Sequence, residues 1–195
     1  MVRVLAINNY PTEERFARLV GCFEDQGAAV EAIEWGRATA KKFNSFDGVV
    51  LSGSPDMMSE AKVLAKFRGE LDAVLDSRVP VLGVCFGHQL MARAFGAEVV
   101  KDVEHVLGMV RTQVLSDDPL FVGLPRSLML LESRYEVVSS LPKGFRLLAS
   151  SETSKIAAMK HQSRPLYGTQ FHPERYTKEN PDGKMVVGNF VRLLR

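Results

Sequence analysis

Cys85 is the residue of this sequence whose neighbours best fit a chemical function. It lies between Gly83 and Gly87 in "VPVLGVCFGHQLMARAFG", where a short apolar strand passes directly into an amphipathic helix. Glycines around such a junction are typical of a nucleophile elbow, which holds a reactive side chain in a strained conformation at a helix N-terminus. The helix dipole and the free N–H groups there stabilise a thiolate. A small buried hydrophobe is the alternative and is our interpretation of Cys22, whereas the glycine pattern favours a nucleophile at Cys85.

A thiolate nucleophile needs a general base and a group that orients the base. Among the four histidines, His172 lies in "PLYGTQFHPE", which predicts a strand that ends in His-Pro-Glu. Residues two apart in an extended chain share a face, so Glu174 is expected to hydrogen-bond the imidazole of His172 and fix its tautomer. His88 is the rival base, one turn after Cys85, but no carboxylate is placed to orient it. The sequence therefore favours His172 with Glu174, and we expect the other two histidines to be surface or strand residues.

Two backbone N–H groups are candidates for stabilising an oxyanion. The N–H of Phe86, directly after Cys85, would point at an oxyanion on the attacked carbon. A second donor is expected from Gly53 in "GVVLSGSPDMMSE", an apolar strand followed by a turn that Pro55 closes. The same segment is compatible with a simple β-turn, and it departs from pyrophosphate loops of the S-G-G-x-D-S kind. Because the sequence also has no Walker loop and no G-x-G-x-x-G, we predict no nucleotide cofactor.

The elements that must position these residues alternate through the first half of the chain. Strand-like segments "VRVLAIN", "AVEAIEW", "FDGVVLSG" and the stretch before Cys85 are separated by helical segments, among them a long helix over 59–77. This alternation predicts an open, mostly parallel α/β sheet with helices on both faces. The second half is strand-rich, in the segments "EVVKD", "GMVRTQVLS", "LMLLESRYEVVS", "FRLLAS", "KIAAMKH" and "PLYGTQFHPE", and its last helix is expected from Met185 to Leu194. We therefore predict a single domain over 1–195, with a strand-rich second half packed on the first.

The composition excludes several classes of function. A chain of 195 residues with 46% hydrophobic residues can bury one real core. Its 25 Lys and Arg against 23 Asp and Glu, without runs of like charge, argue against nucleic-acid binding. No apolar run is long enough to span a bilayer. The two distant cysteines fit no zinc spacing, so no metal is predicted, and without a signal peptide they indicate a reducing, cytoplasmic compartment.

Three segments agree in order and spacing with the class I (triad) glutamine amidotransferases. "GVCFGHQ" resembles their G-x-C-x-G-H-Q elbow, "LSGSP" their L-S-G-G-P oxyanion strand, and "FHPE" their His-Pro-Glu ending. The resemblance covers essentially the whole chain and implies a flavodoxin-like sheet with the thiol at its carboxyl edge. It implies that Cys85 attacks the side-chain amide of L-glutamine and that His172, oriented by Glu174, protonates the departing ammonia. It also implies that the N–H groups of Gly53 and Phe86 hold the oxyanion.

The resemblance extends to the substrate pocket and to a partner. Gln89, together with Ser133 and Arg134 of the "ESRY" segment, would line the glutamine pocket. Within the class, "DPLFVGLP", "LPKGFRLLAS" and "IAAMKHQSRPLYGTQFHPE" are most similar to the separate glutaminase subunit of GMP synthase, which implies a synthetase subunit that accepts the ammonia. Three segments depart from that pattern: W-x-S-H-x-D appears as "LESRYE", "AINNYPTEERF" lacks D-x-G-G-Q, and Ser54 replaces the second glycine of L-S-G-G-P.

Two other functions stay open at this point. A free-standing hydrolase on the same scaffold would cleave γ-glutamyl or other amide bonds without a partner. A non-catalytic regulatory module would keep only the fold, although such a module has no use for a complete set of catalytic groups. For an amidotransferase subunit we expect weak activity in isolation, because Gly53 could turn its N–H away until a synthetase docks near "SGSPDMMSE" and "ESRYE". Met57 and Met58 are expected to be exposed there as an adaptable contact.

Overall fold

The computed structural model describes all 195 residues, which form a nine-stranded sheet flanked by helices. The strands are β1 (Val2–Asn8), β2 (Ala28–Glu34), β3 (Gly48–Leu51), β4 (Val81–Val84), β5 (Val99–Val114), β6 (Ser127–Val138), β7 (Phe145–Ser151), β8 (Ala158–His161) and β9 (Leu166–Thr169). The α-helices are α1 (Glu13–Glu24), α2 (Ala40–Phe43), α3 (Ala61–Lys66), α4 (Arg68–Leu75), α5 (Phe86–Ala94) and α6 (Asp182–Leu193). Single 3-10 turns lie at Trp35–Arg37, Pro119–Phe121 and Pro173–Arg175. None of the helices combines the length and the apolar character that crossing a membrane requires.

The strand order of the sheet is β2-β1-β3-β4-β9-β8-β7-β5-β6. Neighbouring strands from β2 to β9 pair in parallel, and those from β9 to β6 pair antiparallel. The order of the parallel part is that of flavodoxin-like folds, which confirms the predicted fold class. The strand-rich second half does not pack on the first half as a layer, however. It extends the same sheet, because β9 pairs with β4 on one side and with β8 on the other.

Helices cover the parallel strands on both faces, and the side chains of each strand alternate between two cores. Val4 and Ala6 of β1 pack with α1 and α6 on one face, whereas Leu5 and Ile7 pack with α2 to α5 on the other. All four side chains are fully buried. This burial on both faces explains why the inner parallel strands are mostly continuous apolar runs, whereas β2, at the edge of the sheet, keeps exposed residues.

The single long helix predicted over 59–77 is wrong, because the chain forms α3 and α4 with a break at Phe67. The backbone of Phe67 leaves the helical region, with φ −95° and ψ 16°. Its side chain is fully buried, and the centre of its ring lies 4.8 Å from those of Trp35 and Phe86. Burial of this ring between its two aromatic neighbours therefore accompanies the break. The apolar periodicity continues across the break, so the sequence pattern could not locate it.

Two further boundaries differ from the sequence prediction. The segments "EVVKD" and "GMVRTQVLS", predicted as separate strands, belong to the one long strand β5. Its pairing with β6 shifts register between Lys101 and Val106, which is the interruption that the sequence suggested. The last helix begins at Asp182, directly after Pro181, rather than at Met185. A proline fits this position because it has no N–H that a helix would leave unpaired.

Candidate active site

Cys85 lies at the carboxyl end of β4, where the chain turns into α5. It is the only non-glycine residue with a positive φ, at 50°, with ψ −98°. A conformation of this kind costs roughly 1–3 kcal/mol and persists where the surrounding structure enforces it. Here the strand and the helix are in close contact, since a Cβ on Gly83 would lie 2.4 Å from the carbonyl oxygen of Gly87. Gly83 is thus required by this contact, and Gly87 by the approach of β3, since a Cβ on Gly87 would lie 2.7 Å from the carbonyl oxygen of Leu51.

His172 and Glu174 lie in the loop that follows β9. The strand ends at Thr169 and a 3-10 turn, Pro173–Arg175, begins directly after His172, so the extended chain predicted for "FHPE" is wrong. The contact deduced from it is nevertheless present, because the turn brings Oε1 of Glu174 to 2.8 Å from Nδ1 of His172. Both side chains are buried. With Nδ1 occupied by Glu174, the nitrogen of His172 that remains for proton exchange is Nε2.

The electrostatics around His172 favour its protonated form. Burial of the ring lowers the pKa, but the charges of Glu174 and Cys85 outweigh burial and raise the pKa of His172 well above its ordinary value. An imidazolium stabilises a neighbouring thiolate, which is the nucleophilic form of cysteine. The arrangement therefore places a positive charge in the pocket that Cys85 lines, with Glu174 hydrogen-bonded to the imidazole.

His88, the rival base, lies in a different environment. Its side chain is fully buried against Gly168 of β9, where a Cβ would lie 2.5 Å from Nδ1 of His88. Burial lowers the pKa of His88 to about 3, so the ring stays neutral. It is also absent from the lining of the pocket that Cys85 and His172 share. The position of His88 fits a core residue and not a base.

A pocket of about 290 Å³ collects most of the residues predicted for the site. The predicted site residues in its lining are Cys85, Gln89, Ser133, Arg134 and His172. Glu174 lies behind His172, as its hydrogen bond requires. One histidine expected to be an ordinary surface residue, His105, lines the pocket as well, and its ring stacks on Tyr135 at 4.1 Å.

The backbone N–H groups of Gly53 and Phe86, the two predicted oxyanion donors, belong to residues that do not themselves line the pocket. Gly53 follows β3, the neighbour of β4, and a Cβ there would lie 2.3 Å from the hydroxyl of Tyr10 and 3.0 Å from Cε1 of His172. The N–H of Gly53 donates to no acceptor within the protein. Phe86 is the first residue of α5, so its N–H has no acceptor within the helix. Unpaired buried N–H groups are rare in proteins, and these two, one directly after Cys85 and one against His172, fit an oxyanion site.

Gln89 and Ser133 contact the surroundings of Cys85 in different ways. The side-chain amide of Gln89 donates to the carbonyl oxygen of Glu136 at 2.9 Å and to Oε1 of Gln170 at 3.3 Å. Ser133 presents its backbone carbonyl oxygen, not its hydroxyl, to Sγ of Cys85 at 3.6 Å. These contacts hold one wall of the pocket in place.

Arg134 borders the pocket, but its guanidinium is held by other protein groups. It is nearly fully buried and donates to Glu132 at 2.8 Å, to Asp102 and to the carbonyl oxygen of Thr153. Removing one partner of a buried ion pair leaves an uncompensated charge, so these groups depend on one another. Arg134 therefore ties β5, β6 and the loop after β7 together and has few donors left for a ligand.

Two residues that lie at the site were not predicted from the sequence. Gln170 is fully buried, and its Nε2 lies 3.7 Å from Sγ of Cys85. Its position two residues before His172 is a spacing that could have identified it. Tyr10 lines the pocket and covers Gly53 with its hydroxyl. It lies in the segment that departs from the family pattern, so motif comparison gave no signal for it.

Comparison with known proteins gives one family. Residues 13–193 match the family model described as glutamine amidotransferase class-I. The glutamine-hydrolyzing GMP synthase subunit of Thermococcus kodakarensis is 40% identical over 150 residues, which cover 75% of this chain and 74% of the relative. The protein of the same name from Archaeoglobus fulgidus is 36% identical over 173 residues, with 88% of each chain covered.

Solved structures agree with this result. A crystal structure assigned to a GMP synthase subunit of Thermoplasma acidophilum superposes with a TM-score of 0.88 at 28% identity. The superposition covers 100% of this chain and 94% of that one. The shared fold therefore includes every element described above.

Proposed function

The chain belongs to the glutamine amidotransferase class-I family, and from this premise we propose that it hydrolyses L-glutamine and passes the ammonia to a synthetase subunit. The observation that carries the proposal is Cys85, strained at the end of β4, in one pocket with His172. Relatives 36% and 40% identical are GMP synthase subunits, so the proposed acceptor reaction is GMP synthesis. In this proposal residues 1–195 act as one amidotransferase domain.

The first half of the reaction transfers the glutamyl group to Cys85. The thiolate attacks Cδ of glutamine, a C–S bond forms, and the carbonyl electron pair moves to oxygen. The N–H groups of Gly53 and Phe86 stabilise that oxyanion, and loss of one such donor typically costs ~10²–10³-fold in rate. Collapse of the intermediate breaks the C–N bond, and the nitrogen takes a proton from Nε2 of His172. Ammonia leaves, and a γ-glutamyl thioester and a neutral imidazole remain.

The second half of the reaction hydrolyses the thioester. Nε2 of His172 accepts a proton from a water molecule, whose oxygen attacks the thioester carbon. Collapse then breaks the C–S bond, so that glutamate leaves and the thiolate of Cys85 is restored beside the imidazolium. Glu174 holds Nδ1 throughout and stabilises the positive charge each time it forms.

The rim of the pocket is the surface on which we place the synthetase subunit. Tyr135 and Leu107 are 56% and 63% exposed there, and His105 stacks on Tyr135. Met57 is half-buried and lines the pocket, but Met58 is fully buried, so its expected exposure is wrong. Aromatic and aliphatic side chains around a pocket mouth suit a protein contact that closes the pocket against solvent.

Two measurements on the intact chain test this proposal. Release of glutamate from L-glutamine is expected from the wild-type chain and should disappear in Cys85→Ala. With amide-labelled glutamine and the synthetase subunit of a GMP synthase, the label is expected in GMP. Fast glutamate release with no label transfer would replace the proposal by a free-standing hydrolase. No glutamate release under any condition would support the regulatory module.

A further inference from the structure

Three buried polar residues lie beneath Gly53, and no step of the reaction uses them. Asn9 follows β1, Ser52 follows β3, and Glu70 belongs to α4. They are between 0% and 3% exposed, although polar side chains are costly to bury without partners. We call these three residues the oxyanion-strand cluster.

Hydrogen bonds from this cluster hold the peptide groups on both sides of Gly53. The hydroxyl of Ser52 accepts from the N–H of Asn9 at 2.8 Å and donates to the carbonyl oxygen of Gly53 at 2.9 Å. Nδ2 of Asn9 donates to the carbonyl oxygen of Ser52 at 3.4 Å. That carbonyl belongs to the same planar, trans peptide as the N–H of Gly53, so the two groups point in opposite directions. Turning the peptide over would take the Ser52 carbonyl away from Asn9.

Glu70 supports Asn9 from the side of α4. Nδ2 of Asn9 donates to Oε1 of Glu70 at 3.2 Å, while Oε2 of Glu70 and Oδ1 of Asn9 are both buried without a partner. A proton on Oε2 would supply the donor that Oδ1 lacks. Burial raises the pKa of Glu70 to about 8, against the hydrogen bond from Asn9, so the neutral acid predominates at neutral pH. No charged group of α2, α3, α5 or the Trp35–Arg37 turn, which pack around α4, adds to this shift.

We propose that Asn9 and Glu70 are positioning residues that keep the Ser52–Gly53 peptide turned so that the Gly53 N–H is free for the oxyanion. The proposal rests on the proposed function, because only an acyl-transfer reaction needs that donor. It also opposes the expectation that Gly53 turns its N–H away in the isolated chain. In this chain such a turn would leave one of the two N–H groups of Nδ2 of Asn9 without its acceptor in a buried place, while the other keeps Oε1 of Glu70, and an unpaired buried donor is unfavourable. The oxyanion donor is therefore set before any partner binds.

Asn9→Ala tests the positioning of the peptide, with Asn189→Ala as the matched control. Asn189 is an equally buried amide that donates to the carbonyl oxygens of Leu120 and Val122, away from the pocket. In Asn9→Ala we expect kcat for glutamine hydrolysis to fall at least ~10-fold, towards the ~10²–10³-fold of a lost oxyanion donor, with little change in KM. Alkylation of Cys85 by iodoacetamide, which builds no oxyanion, should keep the wild-type rate. Asn189→Ala should keep the wild-type kcat.

Glu70→Gln tests the protonated carboxyl. Its amide can accept from Nδ2 of Asn9 and donate to Oδ1, so the kcat at pH 7 should stay near that of the wild type. In the wild type, ionisation of Glu70 at about pH 8 is expected to lower kcat. A glutamine cannot ionise, so this part of the alkaline fall in kcat should be absent from the variant. Identical pH profiles of the two proteins would overturn the assignment of Glu70.

The remaining outcomes separate this inference from the proposed function. A kcat of Asn9→Ala equal to that of Asn189→Ala would show that the peptide does not depend on Asn9. An equal fall of kcat and of the iodoacetamide rate would mean a general distortion and would also overturn the inference. A wild-type chain that releases no glutamate would instead contradict the proposed function.

Discussion

At the scale of single residues, the two cysteines are similarly buried but differ in their surroundings. Cys85 lines the pocket together with His172. The raised pKa of His172 favours the protonated imidazole, which is positively charged. Cys22 lies within α1 and donates its S–H to the carbonyl oxygen of Glu174 at 3.3 Å. Burial and the charge of Glu174 raise the pKa of Cys22 to about 11, so it stays a thiol.

A chloroketone that mimics glutamine should therefore add one label to the native chain, at Cys85. The reason is that only this sulfur lines a pocket that can hold the glutamine part of the reagent, where it lies with the imidazole of His172. Peptide mass spectrometry after limited labelling locates the adduct. A label at Cys22, or full glutaminase activity in Cys85→Ala, would contradict this assignment.

The histidines give a second prediction at this scale. His172→Ala should lose ~10²–10⁴-fold in kcat, the usual contribution of a general acid and base. His88→Ala should lose less, because the neutral ring of His88 lies outside the pocket. Glu174→Gln should fall between the two, since His172 then loses the carboxylate on Nδ1. Steady-state kinetics of the three variants decide the order, and equal losses for the two histidines would mean that the base is wrongly identified.

At the scale of elements, the junction of β4 and α5 depends on residues that have no side chain. A Cβ on Gly83 would meet the carbonyl oxygen of Gly87 at 2.4 Å and the backbone N of His88 at 2.8 Å. Backbone atoms cannot rotate away as a flexible side chain can. The strand and the helix would have to separate, and Cys85 would move with them.

Gly83→Ala should therefore lower both the free energy of unfolding, by about 1–3 kcal/mol as in other overpacked sites, and kcat. Gly21→Ala is the matched control, because Gly21 lies inside α1 with nothing within 4 Å of its Cβ position. Alanine there should stabilise the helix by about 0.5–1 kcal/mol and leave kcat unchanged. Urea unfolding and glutaminase assays of both variants check this. Equal free energies of unfolding and equal kcat values for the two variants would show that the close contact at Gly83 is not what requires the glycine.

The elements also show what the sequence could predict and why. Short apolar runs with glycine at their ends located β3, β4 and the turn at Cys85, because each of these features is set by neighbouring residues. The break at Phe67 and the turn after His172 were not predictable in this way. The first accompanies burial of a ring between Trp35 and Phe86, and the second brings a carboxylate onto an imidazole. The break at Phe67 involves rings that are distant in the sequence, and the turn after His172 depends on how the whole loop packs. No local sequence pattern therefore marks either feature.

At the scale of the whole molecule, the site is assembled from the ends of four parallel strands. Tyr10 follows β1, Ser54 follows β3, Cys85 follows β4, and His172 lies beyond β9, and all four line the pocket. These strands are consecutive in the sheet, so their carboxyl ends meet at one edge, where ligands bind in open α/β sheets. The antiparallel strands contribute the opposite wall through Ser133. Fold class and site edge were thus predictable together, whereas the partners of Arg134 became visible only in the folded sheet.

The strand order also has a consequence for biosynthesis. β9 lies between β4 and β8 in the middle of the sheet, yet it is the last strand to leave the ribosome. Until it is made, a nascent chain exposes two strand edges that invite pairing with other chains. The segment that fills this gap ends three residues before His172, so a chain that lacks β9 also lacks the proposed base of Cys85. A partly made chain is therefore prone to associate with other chains but is expected to be inactive. Glutamine should not be hydrolysed until translation has passed the final strand.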